Sequence, residues 1–223
     1  MRKIRCIICV SILFLVVVLC SCSSKIDEYD KVISEIRANH YVGSINDNSV
    51  YAVTGEREKD YKVDGVSGER VDFFILTVEG VYSAIPKCEI ILDGVEHKGV
   101  MQKHPFADSY SFEIAQKIDS NEVTVCLEIG NEKSEIMLVS VLSSESKTTD
   151  FAFEVAKKEL DESIKNHLKN GVFDGEVYIR IIPNPTQDDG KYFWYVAFYK
   201  NASECYCALV DCESGEVVAT KKE

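Results

Sequence analysis

Signatures of catalysis are scarce in this chain. It contains no H-E-x-x-H pair, no G-x-S-x-G elbow and no glycine-rich phosphate loop. Zinc-dependent hydrolysis, serine hydrolysis of that type and nucleotide chemistry therefore lack carrier residues, and no catalytic residue or cofactor is expected. The four histidines, His40, His97, His104 and His167, stand far apart at no metal-ligand spacing, and no metal is expected either. Basic residues are also short, 25 against 37 acidic ones, for a net charge of −12. A surface of that sign disfavours nucleic acid as a partner. No apolar run reaches the ~20 residues that a bilayer-spanning helix needs.

What is present begins at the N-terminus. Arg2, Lys3 and Arg5 precede an apolar run over residues 7–19, and small residues follow. That order is the three-part form of a secretory signal over residues 1–21. Leu19-Cys20-Ser21-Cys22 resembles the lipobox of bacterial lipoproteins, with Leu19 at −3, Ser21 at −1 and Cys22 at +1. The resemblance implies cleavage between Ser21 and Cys22 and a diacylglyceryl thioether on Cys22. Two acyl chains suffice for stable anchoring where one is marginal. The partner so implied is the lipid bilayer, and the chain after Cys22 faces outside the cytoplasm, because the positive n-region stays inside. The alternatives are an uncleaved signal anchor, or cleavage without lipidation.

Losing residues 1–21 removes three basic residues and no acidic ones, taking the net charge to about −15. It also disposes of Cys6, Cys9 and Cys20, and acylation would occupy Cys22. Cys88, Cys126, Cys205, Cys207 and Cys212 remain, an odd count that leaves at least one thiol free or intermolecular. Cys205 and Cys207 fall on one face of a strand, without the spacing of a zinc knuckle. A Cys88–Cys126 bridge is open on sequence alone.

Residues 22–48 read as a lipidated N-terminus and a helical spacer, since Tyr29, Val32, Ile33 and Ile36 recur at helical spacing over 26–40. From 49 to 142 the pattern shortens to alternation broken by turn residues. Strands are expected near 50–53, 70–78, 88–92, 109–114, 122–129 and 135–142, forming an antiparallel β-sandwich domain. It lacks the Cys–Trp–Cys pattern of immunoglobulin domains, because the single tryptophan, Trp194, lies elsewhere. The polar stretch 143–150 reads as a linker. Residues 151–223 then read as an α+β domain, one helix over 151–169 closed by Asn170-Gly171, followed by strands near 176–182, 192–200, 204–211 and 216–220. The fold class expected is thus mainly β plus α+β.

The Ala- and Lys/Glu-rich helix, the paired strands and Val210-Asp211-Cys212-Glu213-Ser214-Gly215-Glu216-Val217-Val218 resemble a PepSY domain, with Ser214 in place of the usual Thr. The resemblance covers the last third and implies binding or regulation of other proteins rather than catalysis. Val63-Asp64-Gly65-Val66-Ser67-Gly68-Glu69-Arg70-Val71 repeats the same spacing. Too little chain surrounds it for a second such domain, so it reads as a second use of one turn chemistry.

One stretch is rich in aromatics. Along 192–200, Phe193, Tyr195 and Tyr199 share a face, which Tyr178 and Tyr206 on neighbouring strands can extend. A single helix covers one face of a sheet, so this row meets either a partner or the β-sandwich. The partner expected is an envelope or extracellular protein. Two roles remain open: a non-catalytic binding or regulatory lipoprotein for a protein or polymer partner, or a structural or assembly subunit of a cell-envelope complex.

Overall fold

The computed structural model describes residues 26–60 and 62–223. The expected signal sequence, with Ser21 and Cys22, lies outside the described residues.

The chain enters through a short helix α1 (Ile26–Tyr29) and a 3-10 turn, then strand β1 (Ile33–Ile45). There follow β2 (Asn48–Glu58), β3 (Arg70–Glu79), β4 (Lys87–Leu92), β5 (Val95–Val100), β6 (Gln102–Lys103), β7 (Ser109–Ile114), β8 (Glu122–Ile129) and β9 (Glu132–Ser140). Helix α2 (Thr149–Glu159) leads through α3 (Asp161–Ile164) to a small hairpin, β10 (Leu168–Lys169) and β11 (Val172–Phe173). The last strands are β12 (Glu176–Pro183), β13 (Tyr192–Asn201), β14 (Glu204–Asp211) and β15 (Val217–Lys222). The protein is mainly β, and among the described residues thirteen strands join one hydrogen-bonded sheet.

The helical spacer is corrected. Most of 26–40, and the residues on to Ile45, form β1, the strand on which the whole sheet turns. It runs antiparallel to β2 along almost its full length. On its other edge it pairs parallel with β12 through Ile33–Arg37 and antiparallel with β9 at Tyr41 and Val42. Partners on both edges outweigh a weak local helical spacing. The turn that follows also favours a hairpin: Asn46 and Asp47 both take positive φ (46° and 64°), the two-residue geometry that matches strand twist.

Residues 49–142 supply more than a two-layer sandwich. Pairing runs β1–β2–β3–β7–β6 on one side and β1–β9–β8–β4–β5 on the other. β5 and β6 are one course of chain, passing from β4 to β7 through Met101, so the hydrogen bonds close into a flattened barrel. Its interior is filled by side chains such as Tyr41, Phe74, Leu76, Val125, Leu127 and Leu138.

On the other half of β1, the strands β12 to β15 extend the sheet, and the helical segment covers one face. Phe153, Ala156, Ile164, Phe173, Trp194, Val196 and Phe198 form that core. The helix is shorter than expected. Thr148 caps it, its hydroxyl accepting from Phe151 N–H at 3.2 Å. Regular α2 ends at Glu159, and Asn170-Gly171 closes the β10–β11 hairpin (φ 54° and 83°) rather than a helix. That hairpin carries Phe173 under Phe198, with ring centroids 5.4 Å apart. The segment 143–150 is held to the sheet, since Lys147 C=O accepts from Trp194 Nε1 at 2.9 Å and its N–H donates to Cys212 C=O at 2.7 Å.

Candidate functional site

The face of β12–β14 away from the helix carries Tyr178 and Arg180, then Phe193, Tyr195, Ala197 and Tyr199, then Cys205 and Cys207, by strand alternation and register. Glu176 stands at its end. Its carboxylate is fully buried, and its Oε1 accepts from three successive backbone N–H groups, Asp64 at 2.8 Å, Gly65, and Val66 at 3.1 Å. Consecutive N–H groups in such a turn make an anion-binding concavity, and here the protein's own side chain fills it. The Tyr178 hydroxyl donates to Glu176 Oε2 and lies 3.2 Å from Lys62 O.

These bonds lay the β2–β3 loop across the sheet. Gly65, with φ at 86°, permits the approach, because a Cβ there would meet Lys200 O at 2.5 Å. Buried Glu58 holds the same loop from the barrel side, accepting from Gly68 N–H at 2.6 Å. The repeated Val-Asp-x-x-Ser-Gly-Glu spacing thus serves two purposes. Asp211 caps the turn before β15, accepting from Glu213, Ser214 N–H and the Ser214 hydroxyl, whereas Asp64 belongs to the docked loop. Next to Tyr178, buried Glu35 of β1 pairs with Arg37 at 2.8 Å and with Arg180 of β12, whose guanidinium sits 4.5 Å over the Tyr178 ring.

The five aromatic residues expected to share a face divide. Tyr178 is sealed under the loop, Tyr195 and Tyr199 are half-buried with hydroxyls 3.3 Å apart, and Phe193 is buried at the far end of the row. Tyr206 is on the opposite, helix-covered face. There its hydroxyl meets His167 Nε2 at 2.9 Å and donates to Glu204 Oε1 at 2.7 Å. Strand phase explains the difference: Tyr206 lies opposite Phe198, not Tyr199.

Comparison with known proteins finds no match. No family model fits the chain, and neither curated proteins nor solved structures give a significant similarity. Function has to be argued from the chain's own geometry.

Two features of that geometry lay outside the sequence reading. The first is an apolar tip. The β3–β4 loop and the β6–β7 loop meet at one end of the barrel, joined by Gly80 N–H to Asp108 C=O at 2.8 Å, and Pro86 C=O of the first loop also accepts from Met101 N–H, between β5 and β6, at 2.9 Å. Tyr82 packs on Tyr110 and donates to Glu79 C=O at 2.7 Å, bracing the first loop. On these braced loops Val81, Ile85 and Phe106 are 77%, 57% and 94% exposed. Gly80 follows the end of β3 that pairs with the start of β2, so the tip lies at the far end of β1 from Ile33. The strand separates them by about 40 Å. Single apolar residues in loops carried no periodic signal.

The second is His40, wedged between Tyr51 (centroids 5.5 Å) and Tyr192 (5.1 Å). Burial pushes its pKa down to about 4, and the Arg37 charge adds to the shift. The folded chain keeps this imidazole neutral while the unfolded chain protonates it near 6.5. Stability from His40 is therefore intact above pH 6.5 and is lost as pH falls toward 4, by roughly 3 kcal/mol in all. Urea unfolding of the natural chain and of His40→Gln, followed between pH 7 and 4, should show a shallower acid loss for the variant. Parallel curves would remove His40 as a cause.

Proposed function

We propose that this protein is a membrane-anchored extracytoplasmic lipoprotein that acts as a non-catalytic binding module for another protein. The Leu19-Cys20-Ser21-Cys22 lipobox supports the anchor, and residues 23–25 alone would separate Cys22 from α1. The observation that carries the binding role is the braced apolar tip of Val81, Ile85 and Phe106. Apolar residues grouped on two joined loops are the kind of exposed surface that marks an interaction site, whereas singly exposed ones such as Val66 need no such reading. With Cys22 in the bilayer, β1 would set the tip about 40 Å out along the strand direction from its membrane-proximal end. The partner offered by that placement is a protein with an apolar cleft. The strongly acidic surface argues against an anionic lipid face in that role. The PepSY-like element order of the last third agrees with a regulatory module.

Both halves are testable in cells. Cys22→Ser should move the protein from the membrane to the soluble fraction and abolish labelling by a fatty-acid analogue. Continued membrane fractionation would sink the anchor. A photo-crosslinking residue at position 106 should give a discrete protein adduct that Val81→Asp abolishes, while a crosslinker on the exposed Lys98 should not. An adduct indifferent to Val81→Asp would sink the tip.

A further inference from the structure

Past Tyr178, the same sheet face carries two thiols. Cys205 and Cys207 stand two apart on β14, pointing the same way, and both are free. Cys205 lies between Tyr199 on β13 and Glu223, with which it exchanges both backbone hydrogen bonds at 2.9 and 3.1 Å. Cys207 lies between Ala197 on β13 and Lys221 on β15. Tyr195 and Tyr199 are four residues apart, about 13 Å along a strand, yet their hydroxyls meet at 3.3 Å. The rings therefore lean toward each other across Ala197, beside Cys207. Cys205 is buried and Cys207 half-buried, and Val63 of the docked loop packs at the margin.

The spacing decides what the pair can do. Side chains two apart on a regular strand hold their Cβ atoms about 6.6 Å apart, beyond the about 3.5–4.5 Å of a disulfide. The two sulfurs therefore do not oxidise onto each other, and both remain thiols in surroundings where closer pairs would bridge. They can instead span an ion. A thiolate–metal bond is about 2.3 Å, so two in line need sulfurs about 4.6 Å apart. Side chains that lean toward each other from Cβ atoms about 6.6 Å apart meet that span. Among the described residues no third His, Cys, Asp or Glu completes a metal-holding group. The one carboxylate beside Cys205, on Glu223, is paired with Lys221. The four ligands of a structural zinc are not offered here, and two-coordination is what the face supports.

The other thiols lack this company. Cys88 and Cys212 are buried. Cys126 is half-buried but lies opposite Glu89 and Glu135, while Cys88 on the adjacent strand points into the barrel. The two thiols first considered for a bridge thus face opposite sides of their sheet.

We propose that Cys205 and Cys207 form a two-coordinate site for a soft monovalent metal ion, copper(I) foremost. Thiolate sulfur is the donor that selects copper(I), whereas hard ions take carboxylate and carbonyl oxygen. On binding, each thiol gives its proton to the buffer and each sulfur bonds to the ion, which keeps its oxidation state. The resulting S–Cu–S unit carries one net negative charge. Lys221, cross-strand from Cys207 and on the same face, stands where that charge is balanced. Burial beside the leaning Tyr195–Tyr199 pair disfavours water as a third ligand.

The test titrates the full chain in detergent, without oxygen, with copper(I) held by bicinchoninate, whose colour reports the copper it keeps. One equivalent should pass to the natural chain, and X-ray absorption should show two sulfurs at about 2.3 Å and no other ligand. Cys205→Ser and Cys207→Ser should each weaken uptake at least about a hundredfold, more than changes around a metal's ligands typically cost. Cys126→Ser should leave it unchanged. Silver(I), a redox-inert stand-in, gives a reading that needs no variant: it should protect Cys207 from iodoacetamide and leave Cys126 open to it. Undiminished uptake in either β14 variant, a shell with three sulfurs or with nitrogen or oxygen, or protection of Cys126 in place of Cys207 would each overturn the proposal.

Discussion

Glu176→Ala lowers unfolding stability by about 3–5 kcal/mol, the range for removing one partner of a buried charged network. The carboxylate is the acceptor for Asp64, Gly65 and Val66 N–H and for the Tyr178 hydroxyl. Its removal strands those donors in a space closed to water, and each stranded donor costs about 1–3 kcal/mol if nothing relaxes. The loop can relax by lifting, so the costs do not add in full. Lifting has its own signature: the seam over Tyr178 and Tyr195 opens, and Cys207 reacts faster with iodoacetamide. Glu176→Gln keeps an acceptor oxygen and loses the charge, and should cost about 1–2 kcal/mol. Urea denaturation read by circular dichroism measures both. A Glu176→Ala chain within about 1 kcal/mol of the natural one would show that the carboxylate does not hold the loop.

Nothing in the sequence marks Glu176 as different from the other 36 acidic residues, because its role depends on a loop more than a hundred positions away. The strands were legible for the opposite reason. The run 122–129 alternates Val123, Val125 and Leu127 inward, and β8 covers the same residues. The strands expected at 109–114 and 204–211 also match. In each case one face is buried, and burial imposes a period of two that survives in the residues. β5 escaped because its Val-Glu-His-Lys-Gly-Val face is largely exposed, so no apolar alternation is required. β1 escaped because its two halves serve different layers. Ile33 turns toward the helix-side core and Tyr41 toward the barrel, and no single phase runs through it.

The candidate sites were legible in proportion to how local they are. That Cys205 and Cys207 share a face follows from spacing alone, and the structure places them so. The aromatic row was legible along β13, where alternation is covalent, and failed at Tyr206, where it depended on register with the next strand. What covers the row could not be read at all. The covering loop is polar and short of apolar residues, and it docks through backbone N–H groups.

Gly55→Ala should have the larger effect of the two, abolishing the native fold or costing at least about 4 kcal/mol. A Cβ at this position would sit 1.8 Å from Ile36 O, where β1 bulges between Arg37 and Asn39 and leaves β12 for the barrel. Backbone, not a flexible side chain, occupies the space, so β1 and β2 must separate at the residues that serve both halves of the sheet. Gly94→Ala is the control: its φ is 79°, nothing lies within 4 Å of the added carbon, and only local strain of about 1–2 kcal/mol is at stake. The location also decides how the damage spreads. Trp194, the single tryptophan, lies under α2 on the far side of β12 from the barrel. If the shared strand makes the two halves one cooperative unit, Trp194 emission and far-ultraviolet dichroism should fall in one coincident transition, in the natural chain and in any Gly55→Ala chain that folds. A tryptophan transition that keeps its natural midpoint in Gly55→Ala would mean that the helix-covered sheet stands without β1, and that the junction at Gly55 matters to the barrel alone.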